Sequence, residues 1–195
     1  SPIVALSVPW AHKPGSVGQI IPNVQVKFVD DDGRALPAGE DGELLIKGTN
    51  VRKGYYQKPA ETAAVFTDDS YFKSGDIAHL DADGFLFITG RKKDMIIMAG
   101  EKVYPREIED ALKKHPAVVV SAVIGVKDAQ RGEAPVAFVQ LREGLEGPDK
   151  PSGQDLRAFV RGHIAAYKVP REIMFVDEMP RSGSGKIMKR ELAGL

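Results

Sequence analysis

Cysteine is absent from the 195 residues. Its absence excludes disulfides, cysteine–zinc sites and a cysteine nucleophile. It agrees with a reducing cytosol, although many exported proteins lack cysteine too. Net charge is also missing, because 27 Lys+Arg balance 27 Asp+Glu. With no long basic run, there is no electrostatic footprint for nucleic acid. No apolar run approaches the ~20 residues that a membrane helix needs. The opening SPIVALSVPW has no basic residues ahead of its apolar stretch and makes a poor secretory signal. The expected location is cytoplasmic, at most peripheral to a membrane. The four histidines, His12, His79, His115 and His163, show no metal-ligand spacing, and no Ser/His/Asp set suggests a hydrolase triad. No protein-held metal is expected. Internal repeats and low-complexity segments are lacking as well. The abrupt, strand-like start reads as a piece cut from a longer chain.

Hydrophobic residues make up 43%, enough for the core of one or two compact domains. The first half reads as strands separated by turns. Alternation over 24–30 indicates a half-buried strand, and Asp31-Asp32-Gly33 a turn. Further strands are expected at 42–48, 72–80 and 85–88, with a helical turn at 60–65. Short strands with turns between them point to a small β-barrel-like subdomain. The character changes near Arg91. An apolar strand or hairpin arm at 95–98 precedes a helix at 105–115, with Pro105 at its first position, Glu107 and Glu109 early and Lys113 and Lys114 late. Buried strands are expected at 118–126 and 134–141, and a polar connection at 144–153. A helix at 152–164 opens on a Ser152/Asp155 capping box. A strand at 172–177 and a helical turn or two at 188–192 complete the chain. The fold class is α+β, with a β-rich subdomain at 1–90 and a compact α+β domain at 91–195, the boundary falling at 90–93.

Three segments concentrate polar and flexible residues: Ser74-Gly75-Asp76, the run GRKKDMIIMAGEKVYPREIE at 90–109, and SGSGK at 182–186. Taken singly, each has an ordinary reading. Asp76 is a turn aspartate, Arg91 a solvated arginine in a basic cluster, Lys186 part of a basic tail, and Gly100 a plain turn glycine. The SGSGK run lacks the first glycine of a Walker loop and has Ile187 where a Mg²⁺-binding hydroxyl belongs.

Together with GELLIKG and GYYQKPAET, these segments resemble, in order and spacing, the later core motifs of the adenylate-forming superfamily. That superfamily contains acyl-CoA synthetases, peptide-synthetase adenylation domains and luciferases. Such enzymes form an acyl-adenylate from a carboxylate and ATP, and a thiol then displaces AMP. By resemblance, Asp76 and Arg91 contact the ribose, and Lys93 is the hinge on which a mobile C-terminal domain alternates between two poses, with Lys92 as runner-up. Lys186 reaches the α-phosphate and the carboxylate as a point charge in the first step. Gly100, Glu101 and Lys102 line the pantetheine path, a reading that for Gly100 stands level with the plain turn. Arg181-Ser182 stands where relatives often have a basic residue and Thr; the serine keeps the hydroxyl. The form YPREIE resembles medium- or long-chain fatty-acid and aryl-acid CoA ligases more than peptide synthetases, whose motif usually ends ELGEIE. Ile97 falls where luciferases carry their second-step lysine. The resemblance implies ATP/AMP, CoA and ATP-borne Mg²⁺ as cofactors, a carboxylic acid as substrate and an upstream AMP-binding domain as partner within one polypeptide. The rival readings are a non-catalytic fragment or interaction module and a carrier-protein-loading adenylation domain. The 195 residues alone are expected to be inactive.

Overall fold

A computed structural model describes residues 3–194. The chain divides into two compact units, Ser1–Lys93 and Asp94–Leu195.

In the first unit, a short pair of strands, β1 (Ala5–Leu6) and β2 (Gln19–Ile20), precedes a four-stranded antiparallel sheet. The sheet runs β3 (Val24–Val29), β4 (Gly42–Gly48), β5 (Phe72–Leu80) and β6 (Leu86–Arg91) in sequence order. A six-residue helix, α1 (Pro59–Ala64), crosses between β4 and β5. Alternation places Phe28, Leu44, Ile46, Ala78 and Leu86 on one face, where they form the core.

The barrel-like expectation is corrected here. The sheet is open, with β3 and β6 at its edges rather than paired to each other. Residues 17–18 exchange two backbone hydrogen bonds with Leu86 at the β6 edge, Val17 N to Leu86 O and Leu86 N to Gly18 O, both 2.8 Å. Pro22 follows two residues after β2 and has no N–H to extend a ladder.

In the second unit, the hairpin β7 (Ile96–Met98) and β8 (Glu101–Val103) leads into α2 (Pro105–Lys113). The long antiparallel strands β9 (Val118–Asp128) and β10 (Gly132–Leu141) follow, then α3 (Gly153–Arg161), β11 (Glu172–Phe175) and α4 (Lys189–Leu192). β10 is central. It pairs with β9 along its whole length, with β11 in parallel, and with β7 at the single register pair Gly132–Met98. Among the described residues, β9 pairs with no strand but β10. The α2 and α3 residues Ile108, Leu112, Leu156 and Val160 pack with Val123, Ala137 and Val139. On the opposite face, Ala122, Val136 and Phe138 meet Met179 and Leu192 of the C-terminal segment. Burial on both faces accounts for the unbroken apolar run of β10 from Ala134 to Val139. The Ser152/Asp155 capping box is formed, and α3 ends at Arg161, three residues short of the expected limit. Beyond it, Gly162 N bonds to Phe159 O, and His163 N and Ile164 N bond to Val160 O. Among the described residues, no helix is long and apolar enough to cross a membrane.

Candidate functional site

The candidate residues fall into two groups, one in each unit. In the first, Ser74, Gly75 and Asp76 form a bulge. Lys73 pairs with Leu45 and Ile77 with Glu43, so three residues on β5 stand opposite Leu44 alone. Gly75 takes φ +73°, and the Asp76 N–H donates to Ser74 Oγ at 3.0 Å. A bulge lifts its residues out of the pleat and re-aims the side chains. Asp76 lies in register with Arg91 on β6, whose Nε forms an ion pair with Asp76 Oδ1 at 2.7 Å. Two residues that the sequence separates by fifteen positions therefore share one spot. Both border an open cleft of about 530 Å³, lined by Leu44, Ile46, Phe72 and Leu86 and by the polar Arg52 and Ser74.

The neighbouring lysines have different surroundings. Lys92 Nζ lies 2.8 Å from Glu43 Oε2 and 3.7 Å from Asp31 Oδ1. The bond to Glu43 raises the Lys92 pKa against the opposing effect of partial burial. Lys93 is exposed, at the end of the first unit.

In the second unit, Ala99 (φ +51°) and Gly100 (φ +86°) connect β7 to β8, and Met98 pairs with Glu101. Two consecutive positive φ values are the mark of a type I′ hairpin turn, whose twist suits the flanking strands. Glu101 and Lys102 follow on the exposed arm. The hairpin is held to the β9–β10 turn by Ala99 N to Arg131 O and to β10 by Ile97 N to Glu133 Oε2, both 2.8 Å.

Beside this turn opens a cleft of about 680 Å³ whose lining includes Glu101, Arg131, Arg157, Arg161, Tyr167 and Arg171. Arg171 is paired to Asp128 at 3.2 Å, and Arg157 Nε donates to Pro170 O at 2.9 Å. The backbone N–H groups of Gln130 and Arg131, with the nearby arginines, hold the Asp128 carboxyl below its usual pKa. Sequence reasoning missed this basic cleft. Its arginines come from the β9–β10 turn, α3 and the segment before β11. The one local signal was Arg157 and Arg161, spaced i, i+4 on α3.

Lys186 does not sit on a loose tail. Residues 180–188 form a tight hairpin. Ser182 N bonds to Lys186 O and Met188 N to Pro180 O, both at 2.8 Å, and Arg181 pairs with Ile187. Gly185 has φ +80°. Met179 before the hairpin and Leu192 after it are each only 1% exposed. The exposed Lys186 is thereby presented from a base anchored in the core.

Two family models match. The AMP-binding enzyme C-terminal domain matches residues 107–186, and the AMP-binding enzyme model matches residues 1–56. The chain is 42% identical over 194 residues to a long-chain-fatty-acid–CoA ligase of Bacillus subtilis, covering 98% of this chain and 34% of that enzyme. It is 44% identical over 183 residues to a 2-succinylbenzoate–CoA ligase of Geobacillus kaustophilus, covering 94% and 36%. Among solved structures, it resembles o-succinylbenzoate CoA synthetase from Bacillus subtilis in complex with the acyl-adenylate intermediate OSB-AMP. That match has a TM-score of 0.83 at 33% identity and covers 92% of this chain and 36% of the other. The chain thus spans about a third of the length of these relatives.

Proposed function

The chain belongs to the AMP-binding, adenylate-forming family of acid–CoA ligases, and from this we propose that it is the C-terminal third of an ATP-dependent ligase joining a carboxylic acid to CoA. A carboxylate oxygen attacks the α-phosphorus of ATP, and pyrophosphate leaves. The CoA sulfur then attacks the acyl carbon, and AMP leaves. The observation that carries this reading is the bulge that presents Asp76 against Arg91. A carboxylate raised from the pleat and fixed by a guanidinium suits two adjacent ribose hydroxyls, because it can accept from both. Lys186 brings its positive charge to the α-phosphate and the acid's carboxylate as charge builds in the first step. Its anchored hairpin supports that role by limiting the search for the reacting geometry.

Lys93 is the hinge. Lys92 is tied to Glu43 and Asp31, whereas Lys93 is exposed at the end of the first unit, which favours Lys93 over Lys92. Rotation there alternates the C-terminal domain, 91–195, against the AMP-binding part that includes 1–90. The turn at Gly100, with Glu101 and Lys102, lines the pantetheine path. The basic cleft beside it takes the phosphates of CoA, for which a set of arginines is suited. Mg²⁺ arrives on the phosphates of ATP. The acid we assign is a medium- or long-chain fatty acid, on the form of residues 90–109. Relatives of similar identity are named for different acids, which is the reason to test a panel.

The test is AMP and acyl-CoA formation by the intact polypeptide on fatty, aryl and dicarboxylic acids, for wild type and Lys186→Ala. The expected result is fastest turnover on fatty acids. The variant should lose roughly a hundredfold or more in acyl-adenylate formation while still making thioester from pre-formed acyl-adenylate. Equal first-step rates in both proteins would overturn the assignment of Lys186.

A further inference from the structure

Among the described residues, no strand pairs with the edge of β9 away from β10. Its backbone donors therefore need other partners wherever the edge is covered. Val123, fully buried on that strand, donates its N–H to Glu109 Oε1 of α2 at 2.8 Å. The same carboxylate oxygen lies 2.7 Å from Lys189 Nζ, on the first residue of α4. Ser121 Oγ donates to the Glu109 backbone carbonyl at 3.3 Å, a second tie between α2 and the strand. α2 belongs to the apolar layer on one face of the sheet and α4 to the layer on the other. Glu109 thus joins the two layers around the open edge of β9. Lys189 is three residues beyond Lys186, directly after the return arm of its hairpin. The two side chains are 21% and 31% exposed, so the pair is shielded from water without being sealed off.

We infer that Glu109 is a positioning residue for Lys186, acting through Lys189: it fixes the base of the 180–188 hairpin to the rigid α2–β9 layer and so sets where the Lys186 charge stands. This rests on the ligase reading above, in which Lys186 serves only the first half-reaction. Loss of the tie should then slow that half-reaction and leave the second alone. A tie that merely held the fold together would slow both in step with the loss of folded protein.

The experiment uses the intact polypeptide and the variants Glu109→Gln, Lys189→Met, Lys189→Arg, the Glu109→Gln/Lys189→Met double and Lys186→Ala. Three quantities are read: acyl-adenylate formation in a single turnover, thioester formation from synthetic acyl-adenylate and CoA, and the melting temperature. Glu109→Gln and Lys189→Met should each slow the first step roughly ten- to a hundredfold, the scale expected when a reacting group is displaced by about 1 Å. The second step should stay within about twofold of wild type. The double variant should be no slower than the slower single one, since both remove one interaction. Lys189→Arg, which keeps the pair, should stay near wild type. If Glu109→Gln fails to fold, Lys189→Met carries the test, because it leaves the Glu109–Val123 bond in place. Unchanged first-step rates in Glu109→Gln and Lys189→Met, with Lys186→Ala inactive, would overturn the positioning role alone. A parallel fall of both half-reactions with melting temperature would also overturn it. A Lys186→Ala protein active in the first step would overturn this role and the assignment of Lys186 together.

Discussion

Gly18 and Gly100 both take left-handed backbone conformations, at φ +101° and +86°, and yet they meet opposite surroundings. A Cβ on Gly18 would lie 2.0 Å from the backbone carbon of Leu6, because residues 17–18 are threaded between β1 and the β6 edge. Nothing lies within 4 Å of the same atom on Gly100. Gly18→Ala should therefore destabilise the first unit by roughly 3 kcal/mol, adding a backbone clash to the left-handed penalty. Gly100→Ala should cost about 1 kcal/mol, the conformational term alone. Denaturant unfolding of the two variants measures the difference. The space over Gly100 is what close approach of a ligand's chain requires. On the proposed ligase reading, a rise in KM for CoA in the intact polypeptide beyond what this small loss of stability explains would support the pantetheine role over the plain turn.

Among the elements, α3 shows how far local chemistry reaches. Ser152 Oγ accepts from Asp155 N, and the Asp155 carboxylate accepts from the Ser152 N–H and hydroxyl. These bonds, the Ser152 hydroxyl first, lower the Asp155 pKa. A carboxyl depressed in the folded state contributes stability that is present above its unfolded pKa of ~3.9 and lost as pH falls through the folded value. Ser152→Ala should therefore move the Asp155 pKa back up, as read by NMR titration of its carboxyl carbon. The stability gap between wild type and variant should be full at neutral pH and shrink below about pH 4. Four residues, Ser152 to Asp155, were enough to read this cap in the sequence. The hairpin at 180–188 was not legible in the same way. Its glycines and serines spell flexibility, and its order comes from Met179 and Leu192, which insert into a core made by distant strands.

At the scale of the whole molecule, the chain has two compact units and spans about a third of the length of its curated relatives. About two thirds of each relative's length lies outside the stretch that this chain matches. The 195-residue chain by itself should therefore show no ATP–pyrophosphate exchange above background with any acid, under conditions where the intact polypeptide does. Exchange by the isolated chain would mean that both substrates find their contacts within it.

Regular strands and helices were legible because their causes lie within a few residues. Period-two alternation marked β3, proline and early acids marked the start of α2, and Ser152 with Asp155 marked α3. The family was legible because its motifs are contiguous stretches of chain. The open sheet, in place of the expected barrel, was decided by how the edges of β3 and β6 end, which no local pattern encodes. The pairing of Asp76 with Arg91 depended on the β5–β6 register. The basic cleft depended on arginines brought together from three parts of the fold, and the Glu109–Lys189 tie on two layers meeting around one strand edge. Each of these is a contact between residues distant in sequence, and their energy exists only once the intervening chain has packed.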